Sequence, residues 1–589
     1  MEIVEDPAAQ KNIDIWLSGH YDPSVKDEIR QLLRDNPKEA IDAFYTKLAF
    51  GTAGMRGLMG VGSNRMNPYT VRAASQALAN YLRKQSDSLS VFIGYDSRNN
   101  SNDFAIESAK VFAGNGIHVY LCRQLRPTPY VSFGCRFKHC SAAVMITASH
   151  NPARYNGYKV YWNDGGQVTA PHDENIITEF NAIQDPTQVK SVATVEHPLI
   201  EWVGEEVDHA YLQAISKLQL FPEQNRAKGD QLKIVFTSLH GTGITLMPEA
   251  MRLWGFNQLM LVEKQMTLDG NFPTVKVPNP EEPETLKMGI DLLNTVKGDL
   301  LIATDPDADR VAVAVRSEKG VEVLNGNQIA CLCAEHICEG LSKGKGIPPR
   351  AAFIKTVVTT EMLRVITEAY HVACFDVLTG FKYIAEKIYQ WEQDPKGYQF
   401  IFGCEESYGY LMGTQARDKD AILAGVLISE IALQAKLKGK TLVGTLNDLY
   451  KKYGYFWEQV KSIQFEESKE GKERMKVVLD GLYGHPPKRI ADVNVIKIDD
   501  YKVGESTDLI TGKKSLMHLP KADMLVFWLE DNTKLIVRPS GTEPKIKIYC
   551  GLVKKHFSTV SDAEKSSKKS GERYIAEMKM LFTDPKTHS

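Results

Sequence analysis

Residues 299–315 read DLLIATDPDADRVAVAV. A continuous apolar run, Leu300–Ala303, ends at Thr304 in a loop carrying Asp305, Asp307 and Asp309, and a second apolar run begins at Val311. Four or five apolar residues bounded by turn residues are too few for an ordinary helix and fit a strand buried on both faces. The pattern recurs in SVFIGYD (Ser90–Asp96), HVYLC (His118–Cys122), AAVMIT (Ala142–Thr147), KIVFTS (Lys233–Ser238), YQFIFG (Tyr398–Gly403) and KLIVRP (Lys534–Pro539). Helical patterns such as TVRAASQALANYLRK (Thr70–Lys84) lie between several of them. Buried strands alternating with helices indicate sheets covered on both faces, the α/β class.

Outward from these units, the first 50 residues read as helical, with apolar positions at Ile29, Leu32 and Leu33, then Ala40, Phe44 and Leu48. Pro37 separates the two stretches and suits the first turn of the second helix. The glycine-rich FGTAGMRGLMGVGSNRMN (Phe50–Asn67) reads as a loop. Three consecutive segments, each of about 100–200 residues, carry strand and loop units, which points to a repeated α/β domain. From Phe456 the character changes: VNVIKID, DMLVFWLE, TKLIVRPS and KIKIYCGL are strands spaced by turns, and ERYIAEMKMLF closes the chain as a helix. DAEKSSKKSGER (Asp562–Arg573) reads as a solvated loop or helix start. The expected domains are residues 1–215, 216–330, 331–455 and 456–589, the last a smaller α+β domain.

A chain of 589 residues exceeds what one hydrophobic core usually supports. Hydrophobic residues at 43% and charged residues at 24% are ordinary globular values. Lys and Arg total 71 against 73 Asp and Glu, so the basic excess of a nucleic-acid binder is missing. The opening MEIVEDPAAQ lacks the apolar core of a secretory signal, and no run of about 18 apolar residues predicts a membrane span. Nine scattered cysteines suit buried thiols in a reducing compartment, and a cytoplasmic protein is expected.

Four strand-ending loops carry chemistry, and in α/β sheets ligands sit where such loops converge. In AVMITASHNPARYNGYKVYW (Ala143–Trp162), Ser149 lies in neither G-x-S-x-G nor S-x-x-K surroundings, which argues against a hydrolase serine. It can carry a phosphoryl group, adding about −1.5 to −2 charge; taken alone, a capping serine in a turn is the commoner reading. In the Asp305–Arg310 loop, three alternating carboxylates would lie within reach of one hard cation, Mg²⁺ or Ca²⁺ rather than zinc; a solvated acidic turn is the alternative, less favoured beside a buried strand and Arg310. An EF-hand is excluded because Arg310 stands where that loop needs glycine and Arg316 where it needs glutamate. In YQFIFGCEESYGYLMGTQARDKDA (Tyr398–Ala421), Glu405 and Ser407 suit vicinal sugar hydroxyls, and Lys419 suits a proton donor or charge partner. In KLIVRPSGTEPKIKIY, the residues Arg538, Ser540, Gly541, Thr542 and Lys545 have the composition of a phosphate cradle; a plain turn at Pro539 and Gly541 is the alternative. Two signals are discounted. Gln434 stands where the P-loop suggested by Gly439–Thr441 needs its first glycine, and CLCAEHIC (Cys331–Cys338) reads as core thiols rather than zinc ligands.

Together, TASHNP around Ser149, D-x-D-x-D-R from Asp305 to Arg310, EES from Glu405 to Ser407 and RPSGTEP from Arg538 to Pro544 resemble the α-D-phosphohexomutase superfamily in content and order, over nearly the whole chain. GTAGMRG (Gly51–Gly57), and DPDADR in place of DGDGDR, resemble its phosphoglucomutase branch that also handles pentose phosphates. The resemblance implies a four-domain, heart-shaped fold of three related α/β domains and a smaller carboxy-terminal domain. It implies that Ser149 becomes a phosphoserine sharing Mg²⁺ with Asp305, Asp307 and Asp309, with Arg310 beside that phosphate and Arg56 holding a bisphosphate. Thr379 and Gly380 match a substrate-facing loop, and Glu405 with Ser407 match the sugar readers. Ser149, His150, Lys159 and Lys419 match catalytic positions. The cradle at Arg538, Ser540, Gly541 and Thr542 would hold the distal phosphate. Some relatives have a histidine where this chain has Tyr408-Gly409-Tyr410.

The implied activity is interconversion of sugar 1-phosphates with 6- or 5-phosphates, of glucose, ribose or deoxyribose. A bisphosphate such as glucose 1,6-bisphosphate would be the activator and intermediate. The implied partners are small sugar phosphates, with no nucleic acid or membrane, and the state a monomer with a dimer as alternative. A lysine acting as base must be neutral, so burial or a nearby cation is expected to lower its pKa. The rivals are a glucose 1,6-bisphosphate synthase on the same scaffold and a non-catalytic scaffold protein, which would need none of these side chains intact.

Overall fold

The computed structural model describes residues 4–51, 54–85, 89–466, 469–540 and 544–583. The chain divides into two compact units. One comprises the residues up to Ile329 with His336–Phe353 and Phe381–Leu442; the other comprises Ala330–Glu335, Ile354–Gly380 and the residues from Val443.

The first unit begins with helices α1 (Pro7–Ser18), α2 (Pro23–Asp35) and α3 (Pro37–Phe44), each opened by a proline whose missing N–H would be unpaired there anyway. Its first sheet has the strands β1 (Phe50–Gly51), β2 (Gly54–Leu58), β3 (Ser90–Tyr95), β4 (His118–Cys122), β5 (Ala142–Ile146), β6 (Tyr155–Trp162) and β7 (Ile200–Val203), in the order β1-β2-β6-β5-β3-β4-β7. β3 runs parallel to β4 and β5, while β6 turns back antiparallel on β5. All five residues of β5 are buried. Helix α4 (Pro68–Arg83) begins with a reciprocal cap: Asn67 Oδ1 accepts from the Thr70 amide and Thr70 Oγ1 from the Asn67 amide, both at 3.0 Å.

A second sheet has β8 (Ile234–Thr237), β9 (Leu259–Leu261), β10 (Leu300–Thr304), β11 (Val311–Ser317) and β12 (Gly320–Leu324), in the order β12-β11-β10-β8-β9. β10 is wholly buried, and burial contributes about 1.5–3 kcal/mol for each of its leucine and isoleucine side chains. β10 and β11 form an antiparallel hairpin whose loop is Asp305–Arg310, so strands flank the aspartates. β13 (Ala351–Thr356) and β14 (Ala373–Val377) follow, and then β15 (Gln399–Glu405) pairs antiparallel with β16 (Gly409–Met412) within the first unit. The helix Ala421–Leu437 is apolar on every side and correspondingly buried. The second unit carries an antiparallel sheet of β17 (Tyr455–Gln464), β18 (Arg489–Ile490), β19 (Val493–Asp500), β20 (Glu505–Asp508), β21 (Lys514–Leu516), β22 (Leu525–Leu529), β23 (Lys534–Pro539) and β24 (Lys545–Lys554). Phe527, Leu535, Ile546 and Ile548 pack from its inner face against the helix Val560–Thr583.

One reading is corrected. Phe50–Asn67 is not all loop: β2 pairs antiparallel with β6, Arg56 opposite Gly157. Glycine makes that approach feasible, since a Cβ at Gly54, whose φ is +109°, would stand 1.9 Å from the Tyr158 carbonyl oxygen. Of the two readings of DAEKSSKKSGER the helix start holds: it forms the first half of the final helix, whose buried stripe opens with small residues, Ala563, Ser567 and Gly571, before Tyr574, Ile575, Met578 and Phe582. Small, partly polar contact residues hid the helical period. All nine cysteines are free thiols, and Cys331, Cys333 and Cys338 are buried in the helix Gly326–Lys343. No helix among the described residues is long and apolar enough to cross a membrane.

Candidate active site

Ser149 follows β5 and is buried at 3% exposure, with a left-handed φ of +51°. That conformation costs a non-glycine residue roughly 1–2 kcal/mol. Its Oγ donates to Asp305 Oδ2 at 2.8 Å and lies 3.0 Å from His150 Nδ1. Burial, with Arg310 and Arg56 adding to it, pushes the His150 pKa well below its usual value, so the imidazole is neutral.

Asp305, Asp307 and Asp309 are buried and offer one oxygen each within 4.8 Å of one another. This is the one group of His, Cys, Asp and Glu side chains among the described residues arranged to hold a metal. Asp305 Oδ1 accepts from the amides of Asp309 (3.1 Å) and Arg310 (3.0 Å), which shapes the loop. Asp307 Oδ2 accepts from Lys159 Nζ and Thr128 Oγ1, both at 2.8 Å, and Asp309 Oδ2 lies 3.1 Å from Lys159 Nζ and 3.3 Å from Lys419 Nζ. Asp307 Oδ1 and Asp309 Oδ1 are buried without a hydrogen-bond partner. Burying polar oxygens unsatisfied is costly, and an all-oxygen set with two unspent lone-pair donors fits a hard divalent cation. Electrostatics agree. Burial, then the like charges of Asp307 and Asp309, drive the Asp305 carboxyl well above the usual carboxylate range. Burial opposes ionisation of Asp307 too, but Lys159 outweighs it and holds that carboxyl low.

The expected lowering of a lysine pKa is overturned. Burial does favour the neutral amine, but Asp307 and Asp309 at Lys159, and Asp309 and Asp418 at Lys419, outweigh it and raise both ammonium groups. Both lysines set a positive charge against the aspartates.

Lys419 owes its place to three features that the sequence did not flag. A Cβ at Gly409 would lie 2.1 Å from Lys419 Cδ, so only glycine leaves room for the lysine stem. Asp418 Oδ1 accepts from Lys419 Nζ at 3.1 Å, and its Oδ2 accepts from Tyr161 Oη (2.8 Å) and Gln167 Nε2 (2.9 Å). The ammonium lies 5.4 Å from the centroid of the Phe381 ring. The tyrosines that replace the histidine of some relatives face elsewhere: Tyr408 packs against the core of the second sheet, and Tyr410 Oη donates to the Gly326 carbonyl at 2.9 Å. Thr128 was missed as well; besides its hydroxyl contact, its amide donates to the Asp307 carbonyl at 2.8 Å.

Arg310 pairs with Glu281, and that carboxylate, followed by Asp309 and Asp305, outweighs burial to raise its pKa. Arg56 Nη1 donates to Asn151 Oδ1 at 2.9 Å. Glu405 is buried at the end of β15, and Ser407 lies in the turn after it. Thr379, Gly380, Arg538 and Ser540 belong to the second unit. There Gly380 has a φ of +122°, Arg538 lies near the end of β23 opposite Lys547, and the Ser540 amide donates to the Lys545 carbonyl at 2.8 Å. Gly541 and Thr542 lie outside the described residues.

Three segments match a family described as phosphoglucomutase/phosphomannomutase: its alpha/beta/alpha domain I at residues 47–187, domain II at 209–320 and domain III at 325–453. The phosphoglucomutase of Staphylococcus epidermidis is 35% identical over 550 residues, 93% of this chain and 97% of its own. The crystal structure of the Paramecium exocytosis-sensitive phosphoprotein pp63/parafusin, a phosphoglucomutase in its open form, superposes with a TM-score of 0.65 at 18% identity, covering 89% of this chain and 95% of that one. A phosphoglucomutase/phosphomannomutase family protein from Burkholderia thailandensis gives 0.63 at 18% identity, covering 90% and 96%. At such identities the structural likeness speaks to the fold.

Proposed function

The chain belongs to the phosphoglucomutase/phosphomannomutase family, and on that premise we propose that Ser149 carries a phosphoryl group between the two ends of a sugar phosphate. The enzyme is a sugar-phosphate mutase, an isomerase, with three α/β/α domains and a carboxy-terminal β-rich domain. Glucose 1-phosphate and glucose 6-phosphate are the proposed pair, supported by the phosphoglucomutases it resembles. Ribose and deoxyribose phosphates are proposed as further substrates on the strength of the GTAGMRG and DPDADR segments. A synthase that releases the bisphosphate is not favoured, because the relatives are mutases. A cytoplasmic setting is proposed from the nine free thiols.

One observation carries the reading: the Ser149 hydroxyl, 2.8 Å from Asp305, stands against a carboxylate triad with two unsatisfied oxygens. Asp305, Asp307, Asp309 and the esterified Ser149 would hold Mg²⁺, which when bound draws charge from phosphoryl oxygens. The chain's own groups do the rest. Phosphoryl transfer needs positioning and charge neutralisation above all. In the half-reaction from phosphoserine to sugar, the O–P bond to Ser149 breaks and a bond from the sugar oxygen forms; a lysine gives its proton to the leaving Ser149 oxygen, and the amine so freed takes the proton that the sugar hydroxyl loses. Lys159 and Lys419, held protonated, donate and neutralise. The neutral His150 Nδ1 accepts the serine proton when Oγ later attacks the bisphosphate. Arg310 and Arg56 offer guanidinium groups to the phosphates, and Glu405 with Ser407 read the sugar hydroxyls. On the strength of the RPSGTEP and VLTGFKY segments alone, Arg538, Ser540, Gly541 and Thr542 are proposed as ligands of the distal phosphate and Thr379 and Gly380 as substrate-binding residues.

The test follows glucose 6-phosphate formation from glucose 1-phosphate, primed with glucose 1,6-bisphosphate and Mg²⁺, with ribose 1-phosphate assayed in parallel. Ser149→Ala should lose essentially all turnover while keeping its circular dichroism and melting temperature. Turnover surviving in that folded variant would remove Ser149 from the chemistry. Bisphosphate accumulating from 1,3-bisphosphoglycerate and glucose 1-phosphate would favour the synthase.

A further inference from the structure

Two residues on the loop after β3 enclose the Ser149 peptide from both sides. Asp96 and Arg98 have fully buried side chains, with Arg98 Nε 3.5 Å from Asp96 Oδ2. On the amide side, Ser149 N donates to Thr147 Oγ1 at 2.8 Å, and Thr147 Oγ1 donates to Asp96 Oδ2 at 2.6 Å. On the carbonyl side, Arg98 Nη2 donates to the Ser149 carbonyl at 2.6 Å and to that of Asn151. Arg98 Nη1 reaches the carbonyls of Pro152 at 2.9 Å and Tyr155 at 3.1 Å. One guanidinium therefore collects four carbonyl oxygens of the turn that presents Ser149, while its carboxylate partner holds, through Thr147, the amide of the same residue. The Phe272 ring covers the guanidinium, 5.0 Å from centroid to Cζ.

A buried ion pair contributes little net stability, and apolar residues of the same volume would often serve as well. What this pair supplies is geometry. Ser149 sits in the left-handed region at φ +51°, where a free turn would not stay, and in that conformation its Oγ meets Asp305 Oδ2. The planar fork of arginine, with five N–H donors, suits four fixed acceptors; the three donors of a lysine ammonium do not.

We propose that Arg98, seated on Asp96, is a positioning residue that locks the Ser149 turn in the conformation from which its oxygen exchanges the phosphoryl group. The proposal rests on the reading of Ser149 above. Arg98 touches no substrate; its effect passes through the backbone of residues 149–155.

The experiment uses the full-length enzyme with Mg²⁺ and compares wild type, Arg98→Met, Arg98→Lys and Ser149→Ala. The readouts are kcat and KM for primed glucose 1-phosphate, the melting temperature, and the rate of phosphoryl uptake from glucose 1,6-bisphosphate by intact-protein mass. Arg98→Met should lower kcat by about 100-fold, the effect of roughly an ångström of misplacement. Its KM should stay within about threefold, since no ground-state contact with substrate is removed. Phosphoryl uptake should slow in proportion, and Arg98→Lys should fall between it and wild type. A folded Arg98→Met enzyme with kcat and phosphoryl uptake near wild type overturns the proposal, as does an equal loss in kcat/KM arising wholly from KM. If the methionine variant does not fold, the lysine variant decides by the same readouts, and an unchanged kcat in it overturns the proposal. Activity persisting in Ser149→Ala would instead defeat the reading on which the proposal rests.

Discussion

In the first unit, Asp305, Asp307 and Asp309 face Lys159 and Lys419; in the second, Glu361 and Asp376 face Lys355, Arg364 and Lys534. Both clusters set carboxylates against buried lysines and link distant parts of the chain, but the first is buried throughout while Glu361, Asp376 and Arg364 of the second are half-buried. In the second, Lys355 Nζ lies 3.0 Å from Glu361 Oε1 and 2.9 Å from Asp376 Oδ1, Lys534 Nζ lies 2.7 Å from Glu361 Oε1, and Arg364 reaches Glu361 Oε2 at 3.3 Å and Asp376 Oδ2 at 2.8 Å. Each of those four carboxylate oxygens thus has a cation beside it. In the first, Asp307 Oδ1 and Asp309 Oδ1 lack a hydrogen-bond partner, a state the second cluster shows at Asp376 Oδ1 alone, and Asp305 leans on a hydroxyl and two amides. The titration behaviour separates them too. Lys355 and Lys534 outweigh burial and hold the Glu361 carboxyl well below its usual range, whereas burial and like charges push Asp305 far above. A cluster whose charges close on themselves fastens chain segments together. One left short of positive charge suits a cation and a phosphoryl group.

The contrast can be broken by substitution. Asp307→Asn should reduce mutase turnover by about 10²–10³-fold. It should leave the chelated protein as stable as wild type, because Lys159 keeps Asp309 and one repelling charge is gone. Turnover that survives both the substitution and chelation would dissolve the distinction. Lys355→Met should do the reverse. Opening a buried pair typically costs about 3–5 kcal/mol, so urea unfolding should move by that amount while activity per folded molecule changes little. A melting curve like that of wild type would show that the closed network carries no stability.

Asp420 sharpens the rule at a third place. It caps the helix Ala421–Leu437 through the Leu423 amide (2.9 Å) and accepts from Tyr211 Oη at 2.8 Å, and burial lifts its pKa from 3.8 to about 6. Because the folded state holds this proton more tightly than the unfolded state, stability falls as pH rises from about 4 to about 6 and stays lower above. A shift of about two units corresponds to roughly 3 kcal/mol. Asp420→Asn keeps the cap and should recover about 1–3 kcal/mol above pH 6, with no gain below pH 4. A gain independent of pH would mean that ionisation is not the cause.

The candidate metal loop was legible because its three carboxylates lie within five residues, and β10 because its apolar run is local. Ser149 stood out through TASHNP, and Lys159 and Lys419 through the resemblance. Thr128 and Asp418 were not legible, since their contacts join positions 179 and 257 residues apart. β2 was hidden by glycines, which lower strand propensity yet allow the close approach that the pairing needs. The lysine pKa was misjudged because burial was counted before the carboxylates opposite were known.

Sequence alone settled the buried strands, the spacing of the aspartates and the family, because backbone preferences and apolar periodicity act over a few residues. Tertiary structure decided the charge states of Lys159, Lys419 and Asp305, the left-handed turn at Ser149 and the arginine beneath it. Those depend on Coulombic and hydrogen-bond partners brought within a few ångströms from remote parts of the chain, and in a low-dielectric interior such partners outweigh any local preference.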